Sequence, residues 1–88
     1  MVYKVDIKKK TLKELYKCPD RVQEKLVNLL NDLKDDGPIQ KGWKNFSSLG
    51  KNRYHCHLTY HWVACWEYEE EKIRIEVYYV GSRENAPY

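Results

Sequence analysis

The three histidines of this sequence, His55, His57 and His61, all fall within residues 37–66, a segment with four basic side chains and no acidic one. Histidine gains or loses a proton near neutral pH, so neighbouring imidazoles can remove one proton and supply another. Residues two positions apart in a β-strand project to the same side. If residues 53–59 form a strand, His55 and His57 therefore lie together, and His61 follows at or just beyond the next turn.

The chemistry that suits this segment is cleavage of RNA by its own 2′-hydroxyl group. One group must accept the 2′-hydroxyl proton, another must protonate the leaving 5′-oxygen, and cations must offset the charge that builds on the phosphate. No metal ion is required for these steps, so we expect no cofactor. The side chains around the histidines that we expect to bind RNA are cationic or aromatic: Lys44, Lys51, Arg53 and Trp62.

The same residues also have purely structural interpretations. A histidine on a polar strand face is often simply solvated, and the tryptophans Trp43, Trp62 and Trp66 are more often buried than stacked on bases. A zinc site built from the histidines and Cys56 is conceivable, but Cys56 would project from the opposite face of the strand. The three cysteines include no closely spaced pair, which favours reduced thiols in the core over a disulfide framework.

The composition limits the class of protein that this sequence can form. The sequence has 88 residues, of which 42% are hydrophobic and 33% charged. This is enough for one small core, so we expect a single domain over residues 1–88. No apolar run is long enough to span a bilayer and the first residues do not resemble a signal peptide, which predicts a cytoplasmic protein with no membrane partner. The net charge of +3 is modest, so the acid-free segment must supply any local field for a polyanion.

The beginning of the chain predicts a strand and a short helix. Residues 2–7 alternate apolar and polar side chains, as a half-buried strand does. Thr11 and Glu14 have the spacing of a capping box, which predicts a helix start at this point. The expected buried face of this helix comprises Leu12, Leu15 and Tyr16.

A second helix shows the clearest periodicity in the sequence. Pro19 fits the start of a helix, and the Gly37-Pro38 pair stops one. Between them, apolar residues recur at spacings of three and four, which predicts a helix that buries one face. The residues of this apolar stripe are Val22, Leu26, Leu29, Leu30 and Leu33.

The rest of the chain has the period of β-strands. We expect a short strand within residues 43–49, where Ser47, Ser48 and Gly50 resemble a turn, and further strands over residues 53–59, 62–68 and 73–80. On the last strand, one side is expected to carry Ile73, Ile75, Val77 and Tyr79. The fold class is therefore α+β, in the order β-α-α-β-β-β(-β). Two N-terminal helices pack on one face of an antiparallel-rich sheet and leave the other face free.

Three stretches of the sequence resemble RelE-type toxins of the RelE/ParE toxin–antitoxin superfamily. They are Tyr-His-Cys-His-Leu at 54–58, Val-Ala-Cys-Trp-Glu at 63–67 and the last twelve residues, 77–88, which end in Gly-Ser-Arg-Glu-Asn-Ala-Pro-Tyr. The order of the predicted elements agrees with that family over the whole chain, whereas recognisable residues are confined to positions 53–88. The closing glycine, arginine and terminal aromatic residue are the most specific part of this resemblance.

The resemblance implies a metal-independent endoribonuclease that cuts mRNA in the ribosomal A site and that a cognate antitoxin neutralises. It implies that Arg83 clamps the scissile phosphate and that Tyr88 transfers a proton or stacks on a base. His55 and His57 match positions where relatives carry lysine or histidine, as base or charge stabiliser. His61 is near a position that is acidic in some relatives. Which residue is the general acid and which the general base stays open.

Two other functions compete with this expectation. A ParE-like toxin of the same fold would act on DNA gyrase without cleaving RNA, and a non-catalytic RNA-binding module would use exposed aromatic side chains. The paired histidines, together with Arg83 and Tyr88, favour RNA cleavage, because gyrase inhibition does not require them.

Overall fold

The computed structural model describes residues 2–88, which form five strands and two α-helices. The sheet order is β1-β5-β4-β3-β2, with β1 parallel to β5 and every other neighbouring pair antiparallel. The elements are β1 (Lys4–Ile7), α1 (Lys9–Leu15), α2 (Asp20–Asp36), β2 (Ser47–Gly50), β3 (Arg53–His57), β4 (Trp62–Glu69) and β5 (Arg74–Ser82). Short 3-10 turns follow β4 and β5, at Glu70–Lys72 and Arg83–Asn85. The predicted α+β fold, with both helices packed on a largely antiparallel sheet, is confirmed.

Helix α2 agrees with its prediction at both ends and on its buried face, except that Leu30 is only partly buried. It begins directly after Pro19 and ends at Gly37, whose φ of 91° lies in the region that favours glycine. A Cβ at Gly37 would also meet the ring of Tyr3 at 2.7 Å, so no larger residue fits there. The helix buries Val22, Leu26, Leu29 and Leu33 against the sheet, where Trp66, Cys56 and Ile75 complete the core.

The capping box predicted for α1 is wrong. The helix begins at Lys9, its N-cap Lys8 makes no side-chain cap, and Thr11 lies inside the helix with only 4% of its surface exposed. Leu15 is buried as predicted, but Leu12 and Tyr16 are exposed. The reason is tertiary: the Lys8 N–H donates to the Val77 carbonyl of β5, so the chain enters the helix directly from the sheet edge and turns the Thr11 side inwards.

The short strand predicted within residues 43–49 is present as β2, but it lies at Ser47–Gly50, over the residues that resemble a turn. Ser47 and Ser48 pair with His55 and Tyr54 of β3, while the actual turn is at Lys51 and Asn52. Asn52 has a φ of 58°, which asparagine adopts more readily than most residues. Pairing with β3 therefore overrides the local preference of serine for turns.

A bulge in β5 corrects the predicted side-chain pattern of the last strand. Cys65 and Trp66 of β4 are adjacent, yet they pair with Tyr79 and Val77, so Tyr78 is an extra residue in β5. The alternation reverses at this point, and Val80 rather than Tyr79 joins Val77 in the core. Ile73, also predicted for that side, lies before the strand and is 37% exposed.

The sheet face opposite the helices is only partly free. Val63 and Cys65 pair directly with His57 and His55, so they project on the histidine side, yet both are fully buried. The chain after β5 folds back over this face and brings the ring of Tyr88 to 4.5 Å from that of His55. Within residues 2–88, no helix has the length and apolar character needed to cross a bilayer.

Candidate active site

His55 lies at the centre of a group of polar and aromatic side chains on this face. Its ring centroid is 5.9 Å from that of His57 and 4.5 Å from that of Tyr88, which it meets edge to face. The Ser47 hydroxyl and Nδ1 of His55 are 2.9 Å apart and share a hydrogen bond. Burial is the main cause that lowers the pKa of His55, and the neighbouring His57 adds to it, while Ser47 acts in the opposite direction. The imidazole of His55 is therefore predominantly neutral at pH 7.

His57 ends β3 and is held there by its backbone, since its N–H donates to the Lys44 carbonyl at 2.8 Å. Its Nδ1 is buried and forms no hydrogen bond with any group of residues 2–88. Burial lowers the pKa of His57, and the positive charges of Arg83 and Lys44 lower it further, although the Tyr60 backbone offsets part of this. His57 is thus a neutral base beside two cations.

Arg83 follows β5 directly and is positioned by backbone and ring contacts. Its N–H donates to the His61 carbonyl at 2.9 Å, and its guanidinium carbon lies 4.6 Å from the centre of the Tyr60 ring. No carboxylate of residues 2–88 forms an ion pair with it. An unpaired guanidinium beside a neutral imidazole can bind a phosphate with charge-assisted hydrogen bonds.

The β5 bulge helps to place Arg83. Because the bulge turns Tyr79 to the histidine side, its hydroxyl reaches over Gly81 and donates to the Ser82 carbonyl at 2.7 Å. A Cβ at Gly81 would lie only 2.7 Å from that hydroxyl oxygen, so the contact requires glycine. Tyr79 thereby fixes the backbone immediately before Arg83.

Tyr88, at the end of the sequence, has a pKa raised mainly by burial and also by Cys65 and Tyr79, with Arg83 opposing the rise. Its hydroxyl therefore stays protonated at neutral pH and can donate a proton or a hydrogen bond. About half of its surface is exposed, which leaves one side of the ring accessible to a ligand.

A cavity of about 570 Å³ opens next to His57, and we call it the basic cleft. It lies between the start of α2, the loop before β2 and the β3–β4 turn. Its polar lining includes the imidazoles of His57 and His61 and no carboxylate. Its cationic side chains are Arg21, Lys25 and Lys44.

The remaining predicted residues divide between the site and other parts of the fold. His61 is exposed and packs against Tyr60 with ring centroids 4.6 Å apart, so it joins the basic cleft rather than the His55–His57 pair. Lys44 and Trp62 also line this cleft. Lys51 and Arg53 are at the other end of β3, and the Arg53 guanidinium is 2.7 Å from a Glu67 carboxylate oxygen. They are therefore not brought together with the histidines.

Sequence reasoning missed Arg21 and Lys25. Arg21 and Lys25 are four residues apart on the polar side of α2, which local sequence cannot distinguish from any solvated helix face.

The structure also bears on a zinc site. Within residues 2–88 there is no cluster of three or more histidine, cysteine or acidic side chains that could hold a metal ion. Cys56 projects into the core, and burial raises the pKa of its thiol to about 12. Cys56 therefore does not share a ligand site with His55 and His57, which project from the other face of β3.

Comparison with known proteins identifies the fold. Neither a protein-family model nor a curated protein matches the sequence. Among solved structures, a chain of the archaeal RelE–RelB complex from Pyrococcus horikoshii has a TM-score of 0.77 at 16% identity, covering 98% of this chain and 100% of that one. The free E. coli toxin RelE, as a double arginine mutant, has a TM-score of 0.77 at 24% identity, covering 98% and 88%.

A chain of the YoeB–YefM complex from Staphylococcus aureus is more distant in sequence but still similar in structure. Its TM-score is 0.71 at 9% identity, with 94% of this chain and 99% of that chain covered. Identities this low report shared architecture rather than shared residues. The chain has the fold of RelE-type toxins.

Proposed function

We propose that this protein is the toxin of a type II toxin–antitoxin system, and that it cleaves mRNA in the ribosomal A site. The observation that carries the proposal is the convergence of His55, His57 and Tyr88 around one patch, with the unpaired Arg83 close enough to lower the pKa of His57. The RelE-type fold supports the same function, because solved chains of that fold are named as toxins.

The proposed reaction begins with the 2′-hydroxyl of the substrate. Neutral His57 accepts its proton, and the 2′-oxygen then forms a bond to the adjacent phosphorus. The bond from phosphorus to the 5′-oxygen breaks, and the Tyr88 hydroxyl gives this oxygen its proton. The products are a 2′,3′-cyclic phosphate and a free 5′-hydroxyl, after which His57 and Tyr88 exchange protons with water. The lowered pKa of His57 and the raised pKa of Tyr88 keep each in its required starting form at neutral pH.

Charge on the phosphate increases as the new bond forms. Arg83 is proposed to bind the non-bridging oxygens, and its stacking on Tyr60 limits the orientations of the guanidinium before substrate arrives. His55 is proposed to hold Tyr88, because the two rings are in contact and Ser47 fixes the imidazole. No step requires a metal ion.

The proposed partners are mRNA, the ribosome and a cognate antitoxin protein. Similar chains occur in the solved RelBE toxin–antitoxin complex of E. coli and in the toxin–antitoxin complex RelBE2 of Mycobacterium tuberculosis. An antitoxin that neutralises the present chain would need acidic groups, since its target surface carries unpaired cations.

The test is cleavage on translating ribosomes with purified protein and with the His57→Ala variant. The expected outcome is site-specific cutting within codons by the unaltered chain, and a rate roughly 10²–10⁴ times lower in the variant because the general base is lost. Primer extension locates the cuts, and induction in cells reports growth arrest.

A suitable control is Lys13→Ala, which removes an exposed cation from α1, away from the site. Cleavage that is equal in the unaltered protein and in His57→Ala would refute the assignment of the base. Growth arrest with an induced DNA-damage response and intact transcripts would instead establish a gyrase inhibitor.

A further inference from the structure

We propose that the basic cleft binds the phosphate group that neighbours the scissile phosphate on the same RNA strand, through Arg21, Lys25 and Lys44. This inference rests on the proposed function, since it assumes that His57 contacts RNA. It gives the N-terminal part of α2 a role in holding substrate that none of the sequence patterns predicted.

The first argument for this phosphate site is the charge of the cleft. None of Arg21, Lys25 and Lys44 forms an ion pair with an acidic side chain in the described part of the chain. No acidic residue lines the cleft either. Uncompensated cations in a concave site repel one another and raise the local positive potential, so the cleft is suited to an anion.

The second step is continuity with the site. His57 lines the cleft and also belongs to the group around His55, so the two regions share a side chain. The Lys44 carbonyl accepts the backbone N–H of His57, which ties the loop that carries one cleft cation to the proposed base. An RNA strand held at His57 therefore passes the mouth of the cleft.

The third step concerns the shape of the cleft. Arg21 and Lys25 are one helical turn apart on α2, so both project to the same side of the helix, and Lys44 lines the same cleft. A volume of about 570 Å³ lies within the roughly 300–1,000 Å³ typical of small-molecule sites, and it can hold a phosphate with part of its nucleotide.

An acidic side chain of a protein partner is the competing occupant. RNA is favoured because it offers regularly spaced phosphates along one chain, and the cleft opens beside the proposed reaction centre rather than on a separate face. The antitoxin proposed above would offer carboxylates to the same cations, so the test compares RNA binding with antitoxin binding.

The experiment uses the double variant Arg21→Gln/Lys25→Gln and, as probe, a fluorescein-labelled single-stranded hexaribonucleotide whose 2′-O-methyl groups prevent cleavage. Weakened binding of this one phosphate should raise the Kd about tenfold or more at low salt. It should also reduce the slope of log Kd against log salt by up to about 0.7, the contribution of one phosphate of a single strand. On translating ribosomes, KM should rise while kcat stays within about threefold, since binding rather than proton transfer is altered.

The matched control is Lys9→Gln/Lys13→Gln, which removes the same charge at the same spacing from α1, where neither residue lines the cleft. Thermal melts establish that both double variants are folded. An unchanged Kd and salt slope in Arg21→Gln/Lys25→Gln would overturn the proposal, and so would unchanged RNA binding with loss of antitoxin binding.

Failure of the proposed function gives a different result. If the unaltered chain binds the hexaribonucleotide in a manner that depends on Arg21 and Lys25 but cuts no transcript, the cleft is an RNA site and the nuclease proposal is wrong. If cutting depends on His57 but not on the α2 cations, the nuclease stands and the cleft proposal falls.

Discussion

The two ends of the sheet differ in how they use positive charge. At the end where β5 begins, cations are neutralised: Arg53 pairs with Glu67, and Arg74 pairs with Asp6, Glu69 and Glu76. At the end where β5 finishes, Arg83 and the cleft cations form no ion pair among residues 2–88. We call these the paired end and the unpaired end.

This difference shows why net charge is a poor guide to this molecule. The overall charge of +3 is a sum in which an acidic hairpin offsets part of a cation-rich surface. Cations at the paired end interact with neighbouring strands, whereas those at the unpaired end remain available to a ligand. The positive charge that joins strands is therefore at the opposite end of the sheet from the positive charge that we propose binds RNA.

The largest difference between the two ends is expected from a matched pair of arginine substitutions, one at each end. We expect Arg83→Ala to slow cleavage about 10- to 100-fold, because a charge-assisted hydrogen bond is worth roughly 1.5–3 kcal/mol. Arg53→Ala should leave cleavage within about twofold, since an exposed ion pair contributes little and Arg53 is distant from the site. Both are measured by single-turnover cleavage on programmed ribosomes.

The comparison fails if the two arginine variants lose cleavage to the same extent. The Arg83→Lys variant separates charge from geometry, because lysine retains the charge but not the two-pronged geometry of guanidinium. An intermediate rate in Arg83→Lys indicates that orientation on Tyr60 matters as well as charge.

A smaller effect of the Arg83→Ala substitution is expected on the pKa of His57. Burial, Arg83 and Lys44 keep the pKa of His57 below the ordinary value of 6.5. In a plot of cleavage rate against pH, the decrease on the acid side should therefore begin below pH 6.5. Below the pKa of His57, the rate should fall about tenfold per pH unit as the base becomes protonated. Arg83→Ala should raise the pKa of His57 without restoring 6.5, because burial, the larger cause, is unchanged.

Proton NMR of the His57 ring measures this titration directly, even in variants that do not cleave. A pKa of His57 above 6.5 in the unaltered chain would show that its surroundings favour the charged form. Such a value would contradict its assignment as a neutral base.

The elements that sequence predicted well are those whose signals are local. Helix α2 combines an apolar stripe with Pro19 before it and Gly37 after it, and each signal acts within a few residues. The shared side of His55 and His57 follows from the period of a strand alone. The fold and part of the site therefore follow from the order of the amino acids.

The errors have tertiary causes. Thr11 is buried because β1 delivers the chain to the sheet edge, and Tyr79 leaves the core side because β5 contains one extra residue. Nothing near Arg53 in the sequence indicates that Glu67 neutralises it, since the two meet only across paired strands. The cleft could not be predicted for the same reason, because its residues come from α2 and from a turn more than thirty residues later in the sequence.

The smallest effect on cleavage is expected from the paired end. Arg74→Met removes the cation between Asp6, Glu69 and Glu76 and leaves three carboxylates around an apolar side chain. The melting temperature should fall, and more so at low salt than at high salt, because ions screen the repulsion that remains. Cleavage measured well below the melting temperature should stay within about twofold, since the change is at the opposite end of β5 from Arg83.

Lys13→Met is the reference for this variant, because Lys13 is exposed and in no ion pair of the described chain, so its melting temperature should hardly change. If Arg74→Met reduced cleavage as much as Arg83→Ala while remaining folded, the two ends would be coupled through β5. Strand β5 links them: it carries Arg74 at its first residue, the bulge at Tyr78 and Arg83 just after its last. An intact bulge should absorb small shifts at the paired end, so independence of the two ends is the result that the topology favours.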